Sequence, residues 1–308
     1  MSVRFKDERK LLGRMDNGII EDLLHGSIDM HIHPGPDPVA DRPCDSGTMA
    51  LEAQKAGMAG IVLKSVTYPT ASDAFIIQKH LPPDLRVFGA VVIAYAETGG
   101  LAYAADVIRK QASIGAKVVW FPTFDAKWCT DYLHSGHGIY ILDREGNLKP
   151  EIHDILRVCL EYGLVVCSGH MSFVETDKLF DACNKMGITK MVATHPLAEL
   201  SRFTMDQILE LASKGVYIEH VYGTLMPRLG NMDPSDYVDC IHAVGAERSI
   251  LGTDLGQVWD PTPASGMRHF IAMMLQFGCT PKEVEWMVKI RLLFWTFNFH
   301  STISMRYI

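Results

Sequence analysis

Thirteen histidines in a chain of 308 residues are the groups best placed to do chemistry, and their spacing selects among them. His31 and His33 stand two apart at the end of a short apolar run. Alternate side chains of a strand point the same way, so the two imidazoles project together while Ile28, Met30 and Ile32 face the helices. Such a pair is a ready two-ligand metal site. Cys167-Ser168-Gly169-His170, Ala193-Thr194-His195-Pro196, Glu219-His220 and Gly252-Thr253-Asp254 end similar runs further along. Imidazole and carboxylate donors with an open position suit a divalent metal, zinc first, with manganese, iron and nickel also compatible.

The elements that must position these groups recur from residue 28 to 254. A helical stretch ends in glycine (Gly57, Gly115, Gly163, Gly187, Gly215, Gly245), and a β-branched run follows. Strands are predicted at 28–33, 61–63, 87–93, 118–120, 164–166, 191–193, 216–218 and 250–252, and helices at 102–114, 152–162, 175–186, 205–213 and 235–244. Thr204 and Asp233-Pro234 are credible helix starts. Eight strands alternating with helices match an α/β (β/α)8 TIM barrel, whose strand carboxyl ends converge on one mouth. An open doubly wound sheet would normally bring a Gly-rich turn after its first strand, where this chain has His31-Ile32-His33-Pro34-Gly35-Pro36. One domain spanning 1–308 is expected, with the barrel at about 27–280 and accessory helices at 8–24 and 281–299.

Composition narrows the function. Twenty-nine Lys and Arg against 36 Asp and Glu leave a net charge of -7, with no basic surplus for a phosphate backbone. The apolar runs are too short to cross a bilayer, and the opening MSVRFKDERK lacks the apolar core of a secretory signal. Seven scattered cysteines without a C-x-x-C pair suit a reducing compartment. A cytoplasmic protein with a small-molecule substrate and no nucleic-acid or membrane partner is expected. A homo-oligomer built through the apolar C-terminal helix stays open.

Asp29-x-His31-x-His33, His170, His195 and Asp254, at the ends of strands one, five, six and eight, resemble the amidohydrolase superfamily of metal-dependent hydrolases. Ala59-Gly60-Ile61-Val62-Leu63-Lys64, Gly115-Ala116-Lys117-Val118-Val119-Trp120, Thr194-His195-Pro196 and Thr253-Asp254-Leu255-Gly256-Gln257 are similar to a branch known mainly as a domain of unknown function. The resemblance implies a metal held by His31, His33, His170 and Asp254, with His195 as a second-site ligand or acid/base. Asp254 would relay a proton from a metal-activated water to the leaving group, and the metal with Lys64, His195 or His220 would stabilise the oxyanion. The expected substrate is an amide, cyclic amide or lactone. A decarboxylase or other lyase, a phosphoesterase and a non-catalytic metal-binding protein follow in that order. Two-metal members usually place a carboxylated Lys or a Glu at the end of strand four. Here Lys117 stands at the wrong end of that strand, so one metal is favoured and two remain open. Lys64, at the end of strand two, is a substitute or a substrate-binding cation.

Glu219 and His220 are adjacent, so only one faces the interior; His220, nearer the rim, is expected to contact substrate. Glu219 and Asp29 are candidate supports for the histidine ligands. Arg42 is a candidate for a substrate carboxylate, a solvated loop arginine being the simpler reading. Residues 125–149 form a long interruption without a predicted helix, with a hairpin at 139–148 and His134 and His137 as candidate lid residues. Glu97-Thr98-Gly99-Gly100 lacks the spacing of a nucleotide cradle but offers N–H groups to an anion at a helix starting near Leu101. Cys44 and Cys129 lack the surroundings of an activated thiol. Trp286, Phe294, Trp295 and Phe297 read as helix packing.

Overall fold

The structure, a computed structural model, describes residues 17–227 and 232–289. Its strands are β1 (Ile28–Ile32), β2 (Gly60–Leu63), β3 (Arg86–Val92), β4 (Ala116–Trp120), β5 (Val165–Cys167), β6 (Met191–Ala193), β7 (Tyr217–Val221) and β8 (Ser249–Gly252). They run in sequence order, each parallel to the next. Just past β8, the Asp254 N–H donates to the His31 carbonyl at 2.7 Å and the His33 N–H to the Leu255 carbonyl at 2.8 Å, which draws the last strand onto the first. The fold is a (β/α)8 barrel.

The strands are apolar on both faces because each is covered twice. Met30, Val62, Val92, Trp120, Val192 and Ile250 pack inside the barrel, and two larger clusters fill the layer between strands and helices. Helices Phe173–Met186 and Met205–Ser213 open with capping boxes at Ser172 and Thr204, where hydroxyl and N3 side chain satisfy N–H groups that the helix itself cannot. Asp233 caps Pro234–Val244. The described part of the N-terminal extension is helix Asn17–Leu24, and that of the C-terminal one is Pro281–Val288. Phe294, Trp295 and Phe297 lie outside the described residues.

Three local expectations are corrected. Ile28 and Met30 face the barrel interior, not the helices, because a bulge between Asp29 and Ile32 adds a residue to β1 and resets its alternation. Ile32 does face outward. The interruption after β4 contains a helix, Lys127–Leu133. Its hairpin is present: Leu142 pairs antiparallel with Leu148, and Asp143 Oδ1 accepts the Glu145 and Asn147 N–H groups. After β3 the chain forms a single turn, Tyr95–Thr98, and the next helix starts at Ala104. The Gly99 and Gly100 N–H groups are spent on the Tyr95 and Ala94 carbonyls, so no anion cradle forms there.

Candidate metal centre

The barrel mouth gathers its polar groups at the junction of β8 with β1. His31, His33 and Asp254 each offer one ligand atom, and the three atoms lie within 4.8 Å of one another. Asp254 Oδ1 is 3.1 Å from His31 Nε2 and 2.8 Å from His33 Nε2. The other oxygen, Oδ2, is 3.9 Å from His195 Nε2. His170 and His195 stand beside this group, their ring centroids 5.0 Å apart. Asp254 and His195 take positive φ values of 54° and 27°, a backbone cost that non-glycine residues bear mainly at functional sites.

The carboxylate supporting the ring is Glu219, whose Oε1 is 3.1 Å from His31 Nδ1 and whose Oε2 accepts the His195 N–H. That contact turns His31 Nε2 toward the mouth, the service an outer carboxylate renders a ligating imidazole. Asp29 supports backbone instead. It accepts from the Thr253 N–H at 3.0 Å, the Thr253 hydroxyl at 2.6 Å and the His31 N–H at 3.2 Å, tying β1 to β8 below the ligands.

His220 is a correction. Tyr217 belongs to the inner core, and two-residue alternation carries Glu219 to the same side. His220 therefore points outward, fully buried, with its ring 5.0 Å from that of Tyr237 and neither nitrogen hydrogen-bonded among the described residues. His134 and His137, the candidate lid residues, are exposed, and neither lines the mouth cavity in this structure. From that segment it is Phe124 that reaches the cavity, edge-on to His170 at 5.2 Å.

Lys64 is buried, with Nζ 2.8 Å from His31 Nε2 and 5.0 Å above the Trp120 ring. It belongs to the cluster rather than to an open rim. Arg42 is no solvated loop residue: its side chain is 6% exposed and paired with Asp37. With Phe124, Val39, Val66 and Leu200, the side chains of His33, His170, His195, Asp254, Lys64 and Arg42 line a cavity of about 250 Å³.

Electrostatics prepares these groups as ligands. Burial pushes His33 down to about 3 and holds His170 and His195 below the usual range, so all three are neutral imidazoles at pH 7. Asp254 stays ionised: burial opposes its charge, but His31 and His33 outweigh burial and hold its carboxyl well below the usual range. Burial also opposes charge on His31, yet Asp254 and Glu219 raise it to about 9. Burial lowers Lys64, its neighbour. The donor set, neutral nitrogens around an ionised carboxylate with one ring fixed from behind, fits a divalent cation that would displace the proton from His31.

Sequence reading missed Phe124, and no pattern flags it, because the turn that brings it over His170 follows β4. It also left unassigned the clasp beside it. Trp128 Nε1 donates to the Leu200 carbonyl at 3.0 Å, and the Arg202 guanidinium lies over both Trp128 and Tyr132.

The structure is thus a (β/α)8 barrel with a candidate metal site at its strand ends. The chain belongs to a family of unknown function, DUF6282, whose model matches residues 26–219. No curated protein matches it in sequence. Among solved structures, an amidohydrolase from Pseudomonas aeruginosa is 10% identical with a TM-score of 0.59, covering 90% of this chain and 97% of its own. A probable dipeptidase, PvdM, from the same organism is 12% identical with a TM-score of 0.62, over 92% and 97%. A 2,6-dihydroxybenzoate decarboxylase is 11% identical with a TM-score of 0.57, over 88% and 99%. At such identities the likeness is one of fold, and the family match bears out the expected branch of unknown function.

Proposed function

We propose that the protein is a metal-dependent hydrolase of small molecules, cleaving a C–N or C–O bond in an amide, cyclic amide or lactone. The observation that carries this reading is the convergence of His31, His33 and Asp254 within 4.8 Å at the carboxyl ends of the barrel strands. His31, His33 and Asp254 would hold one divalent ion, zinc by preference, with His170 and His195 completing the site. When bound, such an ion supplies a Lewis acid that brings the pKa of water from about 15.7 toward roughly 7.

The remaining work falls to the chain. Asp254 directs Oδ1 at His31 and His33, while Oδ2 faces His195. Oδ2 takes the proton released by the attacking water and returns it to the leaving nitrogen or oxygen. His195 and Lys64 face the oxygen that gains charge. Glu219 keeps the His31 ring from rotating. The apolar wall of Phe124, Val66 and Leu200 limits water around the reacting bond.

Metal analysis of the purified protein tests the reading. About one equivalent of a transition metal is expected, lost in His31→Ala/His33→Ala, and its absence after preparation in metal-replete medium refutes the proposal. Asp254→Asn is expected to remove turnover while the fold persists. Release of carbon dioxide in place of water consumption would favour the lyase.

A further inference from the structure

We propose that the cavity selects small acids, seating the substrate carboxylate on the Nη1 edge of Arg42; this rests on reading the cavity as a small-molecule active site. Arg42 lies in the loop between β1 and helix Ser46–Lys55. Its side chain and that of Asp37 are 6% and 2% exposed. Asp37 Oδ2 accepts from Arg42 Nε at 3.0 Å and from Nη2 at 2.8 Å. Asp37 Oδ1 is occupied by the Val39 N–H at 3.0 Å. The guanidinium is gripped along one edge and its orientation is set.

That grip leaves Nη1 over. It is buried and has no hydrogen-bond partner among the described residues, although Arg42 lines the mouth cavity. A guanidinium carries five N–H donors in a planar fork, and Asp37 engages only Nε and Nη2. A role confined to pinning the loop accounts for those two nitrogens and not for the third. A buried donor without an acceptor costs about 1–3 kcal/mol, more when charged. An occupant that supplies the acceptor removes that cost, and a carboxylate matches the guanidinium edge in shape and charge. His33, His170, His195 and Asp254 line the same cavity, so an acid held by Arg42 would share that space with the reacting groups.

The cavity also limits the rest of the molecule. About 250 Å³ bounded by Val39, Val66, Phe124 and Leu200 admits a short aliphatic or single-ring body and favours an apolar one. Arg42 is a specificity residue in this scheme and takes no part in bond cleavage.

Benzoate and benzamide, nearly equal in shape and different in charge, are the probes. Calorimetric titration is run on wild type, Arg42→Met, Arg42→Lys and Asp37→Asn, each with metal and after chelation, with metal content and melting temperature recorded. Wild type is expected to prefer benzoate by about tenfold or more, the scale of one charge-assisted hydrogen bond. Arg42→Met is expected to abolish the preference with metal content unchanged, and Arg42→Lys to retain part of it. If Arg42→Met does not fold, Asp37→Asn is expected to weaken the preference through loss of the grip. A preference equal in wild type and a folded Arg42 variant, no preference in wild type, or binding of neither probe overturns the proposal. Protein that holds no metal but shows the Arg42-dependent preference upholds the proposal and refutes the metal reading.

Discussion

Replacing His220 with Phe separates the structural placement of this residue from its expected contact with substrate. The ring is fully buried behind β7 against Tyr237, and both nitrogens lack hydrogen-bond partners among the described residues. Removing an unsatisfied polar group gains about 1–3 kcal/mol, and overpacking by the larger ring takes some of this back. A net gain of about 1 kcal/mol at pH 7 is therefore expected. Acid adds a second contribution. Burial depresses the His220 pKa from its ordinary 6.5 to about 3. Between these values the unfolded chain binds a proton that the folded chain refuses, so wild-type stability falls as pH falls. From pH 7 to pH 5 the loss is about 2 kcal/mol. His33, His170 and His195 add their own acid sensitivity, but the difference between variant and wild type isolates His220. Urea titration at both pH values is expected to show His220→Phe ahead by about 1 kcal/mol at pH 7 and about 3 kcal/mol at pH 5, with the slope unchanged. Equal stability at both pH values, or loss of bound metal or turnover from a folded variant, refutes the outward placement.

Glu219→Gln keeps the size of the side chain and removes the charge behind His31. Metal affinity is expected to fall about 10–100-fold by chelator competition, as for other outer carboxylates; unchanged affinity removes Glu219 from the site. Gly256→Ala would place a Cβ 1.9 Å from the His33 carbonyl at a φ of 141°. A loss of about 4 kcal/mol or more is expected in chemical unfolding, and a loss under about 1 kcal/mol would show that the close approach yields without strain.

The fold was legible because its signals are local and repeat. Strand runs such as Ile61-Val62-Leu63 and Val118-Val119-Trp120, glycines at helix ends and the starts at Thr204 and Asp233 all survive in the barrel. The histidines and Asp254 were legible because each ends a strand, and a barrel turns strand ends into one place. What escaped depends on which side of a strand a residue faces. A single bulge in β1 reversed the alternation at Ile28 and Met30. At Glu219-His220, distance from the rim pointed to the histidine, whereas the inward Tyr217 decided for the glutamate. Arg42 read as a solvated residue because nothing in the spacing of Asp37 and Arg42 reveals that their loop closes over both.

The candidate ligands are also the residues that close the barrel. The Asp254 N–H donates to the His31 carbonyl, the His33 N–H to the Leu255 carbonyl, and Asp29 clamps Thr253 beneath them. A cation held by His31, His33 and Asp254 would therefore brace the seam between first and last strands, and would bind the folded chain in preference to the unfolded one. Free metal at 100 times its dissociation constant would add about 2.7 kcal/mol of stability. Chelation is thus expected to lower the melting temperature of wild type, with metal restoring it. His31→Ala/His33→Ala should melt at one temperature whether or not metal is supplied. A wild-type melting temperature indifferent to chelation, in protein shown to have carried metal, would separate the centre from the seam and leave Asp29, Thr253 and the backbone to hold the barrel shut.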